Sequence, residues 1–201
     1  MPDLVLVTVT YNATGVWDAF MASLLAQRDA DWHLVVIDNQ SRDGTVEMLK
    51  AIDDSRVSVI LNDGNLGVAA ANNQGIRAGL DQGARRIMLI NNDVEFGPAL
   101  LSRLDAEMSR AGADAISPLI PYFDAPDRIW YGGGSFTRWA RGIMPSHDHA
   151  GEPLSSVGQA TFHTDYTPTC CVLFDRTVFE RIGLMTSAIS SIGTIPISSG
   201  A

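Results

Sequence analysis

Between Leu4 and Ser117 short apolar runs alternate with helical segments, and that alternation leaves few folds open. Leu4–Thr10 is almost wholly apolar and β-branched, as a strand covered on both faces requires. A polar turn, Tyr11–Gly15, precedes a predicted amphipathic helix over Val16–Gln27, with Phe20, Leu24 and Met21 as its inward stripe. His33–Asp38 reads as a second buried strand, ending on a carboxylate. Asn39–Thr45 is dense in turn and cap residues ahead of a short helix over Val46–Ile52. Val57–Leu61 is a third strand, Asn62–Gly67 the loop after it, and Val68–Gln82 an Ala-rich helix. Ile87–Ile90 is the next buried run; Pro98 opens a further helix to Arg110, and Ala113–Ser117 is strand-like. The predicted class is therefore α/β: a doubly wound, mainly parallel sheet flanked by helices, its strand order left open by the pattern. From Pro118 to Gln159 the periodicity fades into Pro, Gly and isolated aromatics, a length that calls for a small hairpin or an irregular excursion over 118–160. Tyr166–Phe174 resumes a strand pattern, and Asp175 caps a short helix over Arg176–Ile182 with Gly183 as its stop.

Composition excludes several function classes. A net charge of -9 and no basic run argue against a nucleic-acid partner. No apolar stretch approaches the roughly 18 residues that span a membrane, which leaves peripheral contact as the only expected membrane association. Met1-Pro-Asp leads into a strand without a basic n-region, so a secretory signal is not expected. Cys170 and Cys171 are adjacent, lack a metal-ligand spacing and sit in an apolar run; buried free thiols in a reducing cytoplasm are the expectation.

Three predicted strands end on polar groups: Thr10-Tyr11-Asn12, Asp38-Asn39 and Asn91-Asn92-Asp93. In a parallel sheet these share one edge, where open α/β sheets bind ligands. A lone carboxylate among amide oxygens, as at Asp93, suits Mg²⁺ or Mn²⁺ carrying phosphates. Tyr11 offers a ring to a nucleobase, and Asp38 an acceptor for a base N–H or a ribose hydroxyl. Each also has a plainer reading: a turn at Asn91–Asp93, an edge tyrosine, a cap at Asp38. No G-x-G-x-x-G follows the first strand and no G-x-x-x-x-G-K-S/T occurs, so Rossmann and P-loop phosphate binding lose their main support.

Four stretches, in order, resemble the motifs of family 2 glycosyltransferases: Val7-Thr-Val-Thr-Tyr-Asn12, Val36-Ile-Asp-Asn-Gln-Ser-Arg-Asp-Gly-Thr45, Asn65-Leu-Gly-Val-Ala-Ala-Ala-Asn-Asn-Gln-Gly75 and Leu89-Ile-Asn-Asn-Asp-Val94. The similarity is greatest to the rhamnosyltransferase-like branch, with N-N-D in place of D-x-D, and it covers residues from about 4 to 185. The resemblance implies a GT-A fold, a nucleoside diphosphate sugar donor with dTDP-rhamnose the donor suggested by the branch, and a glycan or lipid-linked acceptor, as in polysaccharide biosynthesis. It implies nucleotide contacts at Thr10, Tyr11, Asn12, Asp38, Asn39, Asn65, Gly67, Asn91 and Asn92, with Asp93 holding a divalent cation and 118–160 facing the acceptor. A nucleotidyltransferase is the competing enzyme class, but Tyr11–Gly15 lacks the basic, Gly-rich loop it usually needs.

The resemblance also implies inversion by direct displacement, with a carboxylate taking the acceptor proton. That base belongs to an acidic motif after a G-x-x-D-E-x-F/Y-F segment. Here Ile182-Gly-Leu-Met185 begins correctly, then Thr186–Ala201 carries no charge. The expected base is absent after Met185, so the GT-A domain is expected over 1–185, C-terminally incomplete, with an aberrant tail over 186–201. An inactive nucleotide-binding fragment is the alternative for the chain as it stands. The genetic code permits a frame-shifted reading of that tail. Joining the last nucleotide of each codon to the first two of the next makes Met185–Thr186 into G-AC, which is Asp. Continuing through Ser198 allows D-E-R-Y-F-V-Y-W-D-D-T-D-F, the missing motif.

Three other features have plainer readings. His147-Asp-His149 is a solvated loop rather than a metal pair, and Gly132-Gly-Gly134 a flexible turn without a strand–helix setting. Trp130, Tyr131 and Trp139 suit local packing as well as an acceptor surface.

Overall fold

The structure, a computed structural model, describes residues 2–139, 142–158, 160–186 and 194–196, with backbone alone at 138–139, 142–144 and 194–196. The chain forms two compact units, Met1–Ile116 with Thr169–Gly193, and Ser117–Pro168 with Thr194–Ala201.

The first unit opens with β1 (Leu4–Thr10), α1 (Trp17–Leu25), β2 (Trp32–Asp38), α2 (Thr45–Lys50), β3 (Val57–Leu61), α3 (Val68–Asp81), β4 (Arg86–Ile90), α4 (Leu100–Ala111) and β5 (Ala115–Ile116). The second unit contributes β6 (Ile120–Pro121), β7 (Ile129–Tyr131), β8 (Gly134–Trp139), β9 (Gly142–His147) and β10 (Tyr166–Pro168). The chain then returns to the first unit in β11 (Cys171–Asp175) and α5 (Arg176–Ile182), and β12 (Thr194–Pro196) pairs antiparallel with β10.

The central sheet runs β3-β2-β1-β4-β11-β5. β1 to β4 are parallel, while β11 pairs antiparallel with both β4 and β5. The sheet is thus mixed at one side. The core of this unit is the sheet's own apolar runs, with Val5–Val7, Leu34–Ile37 and Ile87–Leu89 fully buried.

Three expectations need correction. Tyr166–Phe174 is not one strand: β10 and β11 lie in different sheets, broken at Thr169–Cys170. Pro168 offers no N–H to continue a ladder, and a continuous apolar run hides that break. The strand at Ala113–Ser117 shrinks to two residues at the sheet edge, and Pro98 stands just before Ala99, the N-cap of α4. The small hairpin expected within 118–160 is present as β8–β9, alongside the β6–β7 pairing.

α3 lies unusually close to the sheet. A Cβ on Gly75 would fall 2.2 Å from Val7 Cγ1 and 2.8 Å from Ile37 Cδ1. Alanine is the better helix former by about 1 kcal/mol, yet here the clash decides. Gly75→Ala should destabilise by about 1–3 kcal/mol. Urea denaturation measures this, and an unchanged midpoint would show that α3 rides further from β1.

Arg86 is buried within β4 and pairs with Asp105 of α4 at 3.0 Å and with Asp175 at the end of β11. Burial alone would raise the Asp105 carboxyl; hydrogen bonds from Arg85 and Arg86 outweigh it and hold the group below the usual carboxylate range.

In the second unit the Gly132–Gly134 turn is explained by packing. A Cβ on Gly134 would fall 2.2 Å from the Tyr166 ring, and Tyr131 Oη donates to the Tyr166 carbonyl at 2.6 Å. Trp130 stacks edge-on against His147, and His147 Nδ1 meets the Trp130 carbonyl oxygen. The side chain of Trp139 lies outside the described residues.

Candidate functional site

The parallel register decides which residues meet. Thr10 lies opposite Asp38, and Asp38 opposite Leu61, so β1, β2 and β3 end level with one another. The loops that follow β1 to β4 all leave from this one edge of the first unit.

Asp38 is the keystone beneath that edge. It is 1% exposed. Its Oδ1 accepts from Thr10 Oγ1 at 2.9 Å and from Ser41 Oγ at 2.5 Å, and its Oδ2 accepts from the Ser41 backbone N–H at 2.9 Å. Such a carboxylate fixes the loop after β2 in one conformation. Ser41 Oγ in turn accepts from the Asn12 N–H, while Asn12 Oδ1 accepts from the Arg42 N–H, both at 2.8 Å. Asn12 adopts φ 57°, a left-handed conformation that asparagine tolerates. A second clasp joins the same two loops: Asp43 accepts from Thr14 Oγ1 at 2.8 Å and from Thr45 Oγ1 at 2.6 Å. Those hydrogen bonds, from Thr45 first, hold the Asp43 carboxyl well below its ordinary range.

The third loop is tied on by amides. Asn62 donates to Asn39 Oδ1 and exchanges two hydrogen bonds with Gln74 of α3, all at 2.9 Å. Asn65 Oδ1 accepts from the Gly67 N–H at 2.9 Å, closing the turn into α3, where Gly67 takes φ 79°. In the fourth loop, Asn92 Nδ2 donates to the Val9 carbonyl at 3.2 Å. The Asn91 N–H donates to the Cys170 carbonyl at 2.8 Å, which anchors the start of this loop to the turn before β11.

The residues expected from the sequence fall into two groups. Thr10, Asp38 and Asn39 are buried and hold the loops, whereas Tyr11 (54% exposed), Asn91 and Asp93 face solvent. Asp93 takes no hydrogen bond and no ion pair among the described residues, which distinguishes it from Asp38, Asp43 and Asp105. Ser41, Thr45, Asn62 and Gln74 were not singled out by the sequence. Their only signal was position, in or beside the motif stretches. Cys171 is buried but Cys170 is only partly so. Burial, with the charge of Asp93 adding to it, pushes the Cys170 thiol up to about 11. No group of three or more His, Cys, Asp or Glu suited to a metal occurs among the described residues, and that holds for His147 and His149. An open cleft of about 530 Å³ lies between α3 and residues 184–186; none of the strand-end residues lines it.

The profile of glycosyl transferase family 2 matches residues 5–183. The chain belongs to this family. Among curated family relatives, the succinoglycan biosynthesis protein ExoO of Rhizobium meliloti (strain 1021) is 34% identical over 113 residues, covering 56% of this chain and 32% of that protein. The dTDP-rhamnosyl transferase RfbF of Shigella flexneri is 25% identical over 179 residues, covering 89% of this chain and 56% of RfbF. The chain thus spans between about a third and just over half of these relatives. Among solved structures, S. aureus TarS 1-349 in complex with UDP superposes with a TM-score of 0.66 at 12% identity, over 94% of this chain and 52% of that one. The mannosyltransferase PcManGT of Pyrobaculum calidifontis, in complex with GDP-Man and Mn²⁺, gives 0.61 at 16% identity, over 96% and 50%. The likeness establishes the GT-A fold for this family 2 chain.

No helix among the described residues is long and apolar enough to cross a membrane.

Proposed function

We propose that the chain binds a nucleoside diphosphate sugar at the shared edge of β1, β2 and β4, as the donor side of an inverting transferase acting on a glycan or lipid-linked acceptor. One observation carries this reading: an exposed ring at Tyr11 and a carboxylate at Asp93 without a hydrogen-bond or ion-pair partner among the described residues leave a single sheet edge whose loops are otherwise tied to one another. The aromatic face suits a base, and the carboxylate suits a cation that carries phosphates. The name of RfbF supports dTDP-rhamnose as donor. UDP in TarS and GDP-Man with Mn²⁺ in PcManGT support the wider class.

The donor set fits a divalent cation. Mg²⁺ and Mn²⁺ are commonly held by one or two carboxylates plus substrate phosphates, so a single free carboxylate beside two amides meets the need. Asp93 would hold the ion, with Asn91 and Asn92 beside it. When bound, the ion offsets the charge that builds on the departing diphosphate. The chain's own residues supply the rest: Tyr11 orients the base, and the Asp38–Ser41–Asn12 clasp holds the two loops together at the edge. The proton-accepting carboxylate falls in the motif expected after Met185. For this 201-residue chain, donor binding without transfer is therefore the second reading.

Calorimetry with UDP, dTDP and GDP in the presence of Mn²⁺ tests donor binding, and Asp38→Ala locates it. That variant leaves the Thr10 and Ser41 donors without their acceptor, which costs about 1–3 kcal/mol of stability. Affinity for a pyrimidine nucleotide should fall about tenfold to a hundredfold, because the loops that carry Tyr11 and Asn12 lose the acceptor that fixes them. Equal affinity in the folded variant would place the base elsewhere.

A further inference from the structure

The loop after β4 is fixed on both sides of Asp93, and the two anchors come from different parts of the fold. Before Asp93, Asn91 and Asn92 hold the chain to the Cys170 and Val9 carbonyls. After it, Ser23 of α1 and Gln27 just beyond the end of that helix take hold. Ser23 Oγ accepts from the Phe96 N–H at 3.2 Å, and Gln27 Nε2 donates to the Gly97 carbonyl at 2.8 Å. Gln27 Oε1 accepts from the Leu101 N–H at 3.1 Å. The Arg28 N–H donates to the Pro98 carbonyl at 2.9 Å, and the Phe96 ring meets the buried Phe20 ring edge-on.

The Leu101 bond stands in for a missing cap. The N-cap of α4 is Ala99, whose side chain cannot satisfy the free N–H groups of the first turn. A capping oxygen normally accepts from the second or third helical N–H, and Leu101 is the second residue of α4. Gln27 supplies that acceptor from 74 residues away in sequence. Capping does not account for the bonds to Phe96 and Gly97, which lie outside α4. Those bonds leave only Asp93, Val94 and Glu95 between the two anchors. A bridge of three residues fixed at both ends samples few conformations; released at one end, it becomes a tether. We infer that Gln27, together with Ser23, is a positioning residue for Asp93, holding the carboxylate where a divalent cation meets it. The inference rests on the reading of Asp93 as that cation's ligand. A ligand already in place binds an ion more tightly than one that must first be ordered.

Calorimetry on the full 201-residue chain, titrating Mn²⁺ at fixed UDP and then UDP without metal, separates positioning from stability. Gln27→Ala should weaken Mn²⁺ about tenfold, the low end of what loss of an outer partner costs a metal site, and leave metal-free UDP affinity unchanged. Ser23→Ala removes one acceptor but suits the helix, so it should lower Tm little and weaken Mn²⁺ by a smaller factor. Asp175→Ala is the control. It uncaps α5 at the opposite end of the sheet, so it should lower Tm and leave Mn²⁺ affinity as it is. Unchanged Mn²⁺ affinity in either folded variant, Gln27→Ala or Ser23→Ala, beside a wild-type chain that binds would overturn the inference. Should Gln27→Ala not fold, Ser23→Ala decides alone. A loss of Mn²⁺ affinity as large in Asp175→Ala, or a metal-free UDP affinity that falls in step, would also overturn it. A wild-type chain without Mn²⁺-dependent binding overturns the reading of Asp93 itself, and Gln27 with it.

Discussion

Asp93→Ala should abolish Mn²⁺-dependent binding of a nucleoside diphosphate while leaving the fold intact. The expectation follows from what Asp93 lacks. It is exposed, and it makes no hydrogen bond or ion pair among the described residues, so its removal breaks no contact that holds the loop. Surface substitutions of this kind usually stay within about 0.5 kcal/mol. The loop itself is held by Asn91 and Asn92, through the Cys170 and Val9 carbonyls. Asp93 is also the only carboxylate of the Asn91–Asp93 motif, so no neighbour in the motif replaces its charge. Loss of an outer partner of a metal ligand typically costs about 10–100-fold in metal affinity; loss of the ligand should exceed that. Calorimetry with UDP and dTDP, with and without Mn²⁺, measures the effect. Unchanged metal-dependent affinity would remove Asp93 from the site.

Restoring the reading frame after Met185 should turn a binding protein into a transferase. The structure shows the chain held in place up to this point: α5 is capped by Asp175, which accepts from the Thr177 N–H at 3.0 Å, and Met185 is clasped by Asn73. Beyond it, the given residues are uncharged, whereas the shifted frame allows D-E-R-Y-F-V-Y-W-D-D-T-D-F. The aberrant tail expected over 186–201 falls largely on residues 187–193 and 197–201, outside those described, although the backbone at Thr194–Pro196 pairs with Tyr166–Pro168. A positioned general base contributes about 10²–10⁴-fold to rate. The chain carrying the shifted segment should therefore turn over donor and acceptor at a rate the 201-residue chain does not reach. Sequencing the gene across Met185 decides the origin of the tail. An intact frame there, or transferase turnover by the 201-residue chain, would sink the idea.

Much of the first unit was legible because its strands are short apolar runs, almost fully covered at β1, β2 and β4 and partly so at the edge strand β3. Leu4–Thr10, Trp32–Asp38 and Val57–Leu61 are apolar runs bounded by turn residues, and no helix competes for them. The position of β11 was not legible. It pairs antiparallel with β4 after an intervening unit, and local periodicity carries no information on a partner so far away. The site was half legible. Strand-end polarity pointed to Thr10, Asp38 and Asp93, but Asp38 could not be recognised as buried, because its partner Ser41 is three residues away in an otherwise ordinary turn. Asn73 was not legible: its partner, the Met185 backbone, lies 112 residues on, and nothing local joins the two.

The antiparallel insertion of β11 also sets an order of assembly during synthesis. β1 to β4 and the helices between them are complete once Ile90 has been made, but β4 then has a partner only on its β1 side. Its other edge waits while the ribosome makes α4, β5 and the whole of β6 to β10. At about 5–20 residues per second that wait lasts several seconds. During it the nascent chain carries an open, apolar strand edge of the kind that recruits wrong partners. Arg86 and Asp105 are both made early, so their ion pair can form before β11 arrives and place charge at one end of that waiting edge.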